Sequence, residues 1–201
     1  MPVSNSLLVL PRPRRFTAAV LALLGASALR AAPIDTADDI AVTVRKDGDG
    51  VLVSVDCPVR APRAIVWGVL TDYDHMAGYV TNLQVSEVRA RDGDTLQVYQ
   101  SGRATRGLIS VSFENVREIR LVPQQEISSR MISGTLKSSE FTTRIVDDGS
   151  ELHILNGGRF VPNVWVPPLI GPAVIEAETR KQFEEIRAEI LRRAALASRA
   201  S

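Results

Sequence analysis

From Gly171 onward the sequence returns to a small or apolar residue every three or four positions, and this run fixes the largest single element the chain can make. Ile175, Thr179, Phe183, Ile186, Ile190, Ala194 and Ala197 fall within about 100° of one another on a helical wheel, the width of a one-sided stripe. Gly171-Pro172 opens the run, because proline is tolerated in the first turn of a helix. Continued to Ala197, the helix is about 37 Å long at about 1.5 Å per residue. Glu176–Arg180, Lys181–Glu185 and Glu189–Arg193 are opposite charges four apart, on or beside the other face. One face is wet, and something else in the chain must cover the stripe.

What covers it is read from the preceding 120 residues. Val42 and Val44, then Val51, Val53 and Val55, alternate with polar residues around a Lys46–Gly50 turn, which predicts a β-hairpin over 41–57 that Pro58 ends. Ala61-Pro62 opens a helical stretch carrying Ile65, Val66, Val69 and Leu70; Thr71 to Asp74 breaks it, and a second short helix follows near His75–Val80. From Gln84 to Val161 the chain reads as strands separated by turn signals at Arg91–Asp94, Pro123-Gln124, Ser133-Gly134 and Asp147–Ser150. Five or six consecutive strands without a helix between them imply an antiparallel meander. Such a sheet is too small to close as a sandwich, so the terminal helix is the one element able to cover its apolar face.

The N-terminus is a different kind of sequence. Arg12, Arg14 and Arg15 precede an apolar run from Phe16 to Leu29, then small residues cluster at Gly25–Ala28 and Ala31-Ala32. That order is the layout of a secretory signal peptide, and the run is shorter than the roughly 20 residues of a membrane-spanning helix. Residues 1–31 are therefore expected to be removed after Ala28 or Ala31, leaving an exported, periplasmic domain at 35–198. The chain has 24 Lys and Arg against 23 Asp and Glu; residues 1–31 hold four Arg and no acid, so the mature chain is 20 − 23 = −3. That balance argues against a nucleic-acid partner, which needs a basic face. Cys57 is the single cysteine, so no internal disulfide is available and the core alone must stabilise the domain.

The order hairpin, short helices, meander and long terminal helix matches an α+β helix-grip fold: a curved antiparallel sheet of six or seven strands wrapped around the C-terminal helix. Ala61-Pro62, Val66-Trp67, Leu70, Thr71-Asp72-Tyr73-Asp74, Tyr79-Val80 and Leu83 resemble the opening of START-like proteins, nearest the polyketide cyclase/dehydrase and ubiquinone-binding-like branch. Val161-Pro162-Asn163, Pro167-Pro168-Leu169-Ile170-Gly171-Pro172 and the helix after them resemble the exported bacterial members of that branch. The resemblance implies an apolar cavity between sheet and helix, a hydrophobic small-molecule ligand and transient contact with a membrane. It implies no cofactor and no metal.

Little in the residues points to catalysis. His75 and His153 are the only histidines, and nothing in the sequence brings them together. Asp72-Tyr73-Asp74-His75 reads as a helix-ending turn whose aspartates bond local backbone rather than as a metal loop. Neither a Gly-x-Ser-x-Gly elbow nor a phosphate-binding glycine loop occurs. Gly157-Gly158 reads as a bulge or bend in the last strand, and Cys57 as a small core residue. Asn115 and Arg117 continue the parity of Ile109, Val111 and Phe113. Either a β-bulge or an exposed strand end takes them off the inner face, or they are polar handles inside the cavity. Arg130, Glu140, His153 and Arg159 are weaker candidates of the same kind.

The predicted ligand-binding set is Trp67, Tyr73, Phe113, Arg117, Met131, Phe141, Phe160, Trp165, Phe183 and Ile186. The mouth is expected between Tyr73–Val80 and the Pro-rich segment around Trp165. Three functions follow. The first is an exported carrier of a lipid, isoprenoid or quinone. The second is a cyclase or dehydratase on a polyketide-like substrate, which needs Arg117, Glu140 or His153 to converge in one pocket. The third is an interaction protein with a filled core, marked by the lack of any pocket of about 300 Å³ or more.

Overall fold

The alternating valines pair as predicted. β1 (Ala41–Asp47) and β2 (Gly50–Val59) form an antiparallel hairpin with Gly48 at φ 59°, a conformation that favours glycine. The structure, a computed structural model, describes residues 39–106, 109–163 and 171–200. The export segment read at 1–31 and Trp165 with its Pro-rich bridge lie outside the described residues. α1 (Arg63–Leu70) starts directly after Pro62 and is followed by a 3-10 helix at Tyr73–Gly78. Then come β3 (Leu83–Asp92), β4 (Thr95–Arg106), β5 (Ile109–Val122), β6 (Glu126–Gly134), β7 (Ser138–Asp147), β8 (Leu152–Val161) and the long helix α2 (Gly171–Ala200).

Every turn signal in the meander marks a real reversal. The six strands it separates join the hairpin in one antiparallel sheet of eight, ordered β1-β2-β8-β7-β6-β5-β4-β3. That is one strand more than the six or seven the pattern predicts. The chain leaves β2, crosses to the far edge through α1 and the 3-10 helix, and walks back until β8 lies beside β2. Arg63 anchors the crossing. Its Nη1 donates to the carbonyls of Ile145 (2.8 Å) and Gln124 (3.2 Å), tying the start of α1 to β7 and the β5–β6 turn.

Pro58 departs from expectation. It lies within β2, opposite His153, rather than ending the strand. β1 pairs no further than Asp56, so beyond that point β2 has an open edge where a missing N–H removes no ladder bond. Cys57 beside it is fully buried, and burial pushes its thiol up to about 12, as suits a core residue.

The stripe on α2 meets the sheet through Phe183, Ile186 and Ile190, all buried, and fades into solvent by Ala197. All three predicted i,i+4 ion pairs form. Three further contacts fix the helix. Arg180 donates to the Ile40 carbonyl, Glu185 accepts the N–H and hydroxyl of Thr81 at 2.9 and 2.6 Å, and Arg193 meets Asp72 at 2.7 Å. Among the described residues no helix is long and apolar enough to cross a membrane.

Candidate functional site

Val53 of β2, Phe160 of β8, Phe141 of β7, Ile127 of β6, Ile119 of β5 and Gln100 of β4 all border one cavity of ≈ 250 Å³. Ile175, Thr179, Gln182, Phe183 and Ile186 of α2 supply the opposite wall, with Leu70, Tyr73 and Met76 from the crossing helices at the side. Six strands can face one helix across so small a space only if the sheet curls around it. The volume lies just under the roughly 300 Å³ below which the filled-core reading gains weight, so the interior is narrow but not solid.

Arg117 is the charged group on this wall, and its placement answers the question of parity. β4 and β5 pair from Thr95↔Arg120 to Arg106↔Ile109 without a shift, so Phe113, Asn115, Arg117 and Ile119 stay on the inner face. A bulge does occur, but in the partner strand. β6 carries Ile132 as an extra residue between the Val116↔Ser133 and Arg117↔Met131 pairs. The extra residue kinks β6 and leaves β5 straight. Arg117 keeps some accessible area because it borders the cavity, yet burial pulls its guanidinium below the ordinary value. The guanidinium carbon lies 5.9 Å from the centroid of the Phe141 ring. Nearby, burial pushes the Tyr73 hydroxyl up to about 12.

The other polar groups divide into two sets. Gln100 Nε2 donates to Ser86 Oγ at 3.2 Å and touches Met76 Sδ at 3.6 Å; Asn156 Nδ2 donates to Thr143 Oγ1 at 2.8 Å. Arg117 Nε and Ser129 Oγ are buried and have no hydrogen-bond partner, and neither has Asn115 Oδ1 beside Arg117 on the same face. The described lining carries no carboxylate and no imidazole, and no group of three or more His, Cys, Asp or Glu among the described residues is placed to hold a metal ion.

Solved structures share this fold. A STAR-related lipid transfer protein from Xanthomonas axonopodis superposes with a TM-score of 0.64 at 11% identity, over 76% of this chain and 94% of its own. The Zhui aromatase/cyclase from Streptomyces sp. R1128 does so at 0.60 and 16%, over 72% and 95%. A START superfamily protein from Mycobacterium smegmatis gives 0.59 and 14%, over 70% and 97%. The fold is the START-like helix grip. No family model and no curated protein matches the chain.

Within the helix grip, the cavity brings together Tyr73, Arg117, Phe141, Phe160, Phe183 and Ile186 from the predicted set. Three others stand elsewhere. Trp67 is half-buried on α1, packed against the core away from the cavity. Phe113 packs at Gly102, where a Cβ would come within 2.9 Å of its ring. Met131 pairs with Arg117 across the strands but does not reach the cavity wall. Gln100, Ser129, Thr143 and Asn156 were missed. Gln100 continues the Leu96-Val98 alternation and was readable; the other three depend on cross-strand register.

The weaker candidates all lie on the outer face of the grip. Arg130 meets Glu118 at 3.3 Å, Glu140 is exposed, and Arg159 meets Asp47 and Asp49 at 2.7 and 2.8 Å. His153 reaches Asp56 at 2.6 Å and Asp148 at 3.2 Å. Several of them border a larger, open hollow of ≈ 610 Å³ over Gly157, whose walls carry charged groups, with Glu118 paired to Arg120 and Arg130. The sheet thus separates Arg117 from Glu140 and His153, which the cyclase reading needed in one pocket. Gly157 and Gly158 make no bulge, since β2–β8 and β7–β8 keep register through both. The aspartates of the Asp72–His75 turn reach beyond local backbone. Asp74 Oδ1 accepts the Val88 N–H of β3 at 2.7 Å, and Asp72 bridges His75 and Arg193.

Proposed function

We propose that this chain is an exported binder and carrier of a hydrophobic small molecule, a lipid, isoprenoid or quinone, held between the sheet and α2. The observation that carries the reading is the cavity itself: Ile175, Phe183 and Ile186, with Thr179 and Gln182, form its helix wall, and no acid–base pair faces them. Apolar ligand area buried there contributes about 25 cal/mol per Å² toward binding. A cyclase would need groups able to exchange protons near neutral pH. The titratable lining groups are Tyr73, raised to about 12, and Arg117, which stays charged. The lipid-transfer protein from Xanthomonas axonopodis has the same fold, and that analogy supports a carrier.

The basic, apolar and small-residue order of residues 1–31 supports export, and a periplasmic carrier meets its ligand at a membrane. Two measurements test the proposal. Native protein purified from its compartment and extracted with organic solvent should release a lipid, isoprenoid or quinone in near-stoichiometric amount by mass spectrometry. Protein that copurifies with nothing and binds none of these in solution overturns the carrier reading. N-terminal sequencing of the fractionated protein should give a start at Leu29 or Ala32, the residues after the two candidate cleavage points. A cytoplasmic chain beginning at Met1 overturns export.

A further inference from the structure

A buried cation without a counter-charge is costly, and helix-grip walls made only of Val, Ile and Phe would fold without one. Arg117 has that cost. Among the described residues no carboxylate acts on it, Tyr73 being its one charged-form neighbour, and its Nε has no hydrogen-bond partner. Its nearest aromatic contact, Phe141, is a weak substitute for an anion. Ser129 Oγ, one pair further along the same face of β6, is orphaned as well. Asn115 Oδ1 is orphaned on the same strand face but does not border the cavity. Buried polar atoms in native proteins are nearly always partnered, so two orphaned donors together on one cavity wall mark the place where a ligand supplies the partner.

The chemistry of that partner follows from the donors. A guanidinium presents parallel N–H groups that match a carboxylate, and the Ser129 hydroxyl adds one more donor. The opposite wall offers the apolar side chains of Ile175, Phe183 and Ile186 with the uncharged Thr179 and Gln182 between them, and no charged group. A space of ≈ 250 Å³ holds on the order of eight to ten non-hydrogen atoms, taking about 30 Å³ for each water-sized group. We propose that the cavity selects an anionic amphiphile, a medium-chain carboxylate, whose head group binds Arg117 and Ser129 and whose chain lies along α2. This rests on the carrier reading above and names the ligand class within it.

The test is calorimetric titration of the delipidated mature protein at pH 8 with heptanoate, methyl heptanoate and heptanol, each below its micellar concentration. Heptanoate should bind at least about tenfold more tightly than the other two, the ratio one charged hydrogen-bonded contact supplies. Arg117→Met should bring the three affinities together, and Arg117→Lys should keep a reduced preference for heptanoate. Because Arg117→Met removes an unpaired buried charge, it should also raise the Tm of the ligand-free protein by about 2–4 °C. Equal binding of all three by the wild type overturns the carboxylate assignment and leaves the hydrophobic carrier standing. Binding of none likewise overturns the carboxylate assignment, and the solvent extract decides the carrier reading separately. A fall in Tm for Arg117→Met assigns the arginine to structure and overturns the inference.

Discussion

Gly157 and Gly158 are neighbours in β8 with opposite requirements. A Cβ on Gly158 would stand 2.2 Å from the Glu140 carbonyl oxygen and 2.5 Å from the Phe141 ring, whereas one on Gly157 would meet only the Val53 carbonyl oxygen at 3.9 Å. The bare Cα of Gly158 therefore lets Phe141, a cavity wall, lie flat across β8. Gly158→Ala should destabilise by about 1–3 kcal/mol through overpacking. Gly157→Ala should be neutral to stabilising by up to about 1 kcal/mol, because it restricts the unfolded chain. Denaturant midpoints at unchanged m-values separate the two; a neutral Gly158→Ala would show that Phe141 yields without cost. The sequence shows two adjacent glycines, but which one has an aromatic ring above it is set by the Phe141↔Gly158 register, a contact across strands. Arg117 was more accessible to reading, because its parity with Phe113 and Ile119 is local. What remained open was whether a bulge intervened, and that bulge proved to belong to β6.

Along α2 a single stripe does two jobs. Ile190 is fully buried in solid core, while Phe183 and Ile186 face the cavity. Ile190→Ala should cost about 2–5 kcal/mol and leave the set of extracted ligands unchanged. Phe183→Ala enlarges a space that already exists, so its signature should be functional: longer or bulkier molecules in the solvent extract. Loss of stability in Ile190→Ala together with an altered ligand set would mean that the core and cavity segments of the helix are not separable. The stripe and all three i,i+4 pairs were legible because helix periodicity needs only nearby residues. The contacts that orient the helix, Glu185 on Thr81 and Arg193 on Asp72, join residues more than 100 positions apart, and no local pattern announces them.

At the scale of the whole domain, ionisable contacts of opposite sign bracket the stability. Glu189 is buried on α2, and hydrogen bonds from Arg192, then Arg193, hold its carboxyl down to about 2 against the opposing effect of burial. A carboxylate depressed on folding contributes above its unfolded value of about 4.5, and the contribution is lost as pH falls towards 2. For this buried group it amounts to about 2–3 kcal/mol. His153 behaves in the reverse sense. Both ring nitrogens face carboxylates, Asp56 and Asp148, an arrangement that favours the protonated ring. The Asp56 hydrogen bond, more than Asp148, raises it above the ordinary histidine value, and the bond from His75 to Asp72 raises His75 likewise. A raised histidine contributes fully below about pH 6.5 and loses that contribution as pH climbs through the folded value. Thermal stability should therefore be greatest between about pH 4.5 and 6.5 and decline on both sides. Glu189→Gln should flatten the acid limb, and His153→Gln should flatten the limb above pH 6.5, each read by calorimetry from pH 2 to 9. A wild-type Tm that climbs steadily from pH 5 to 9 would show that the His153 bridge contributes nothing to the fold.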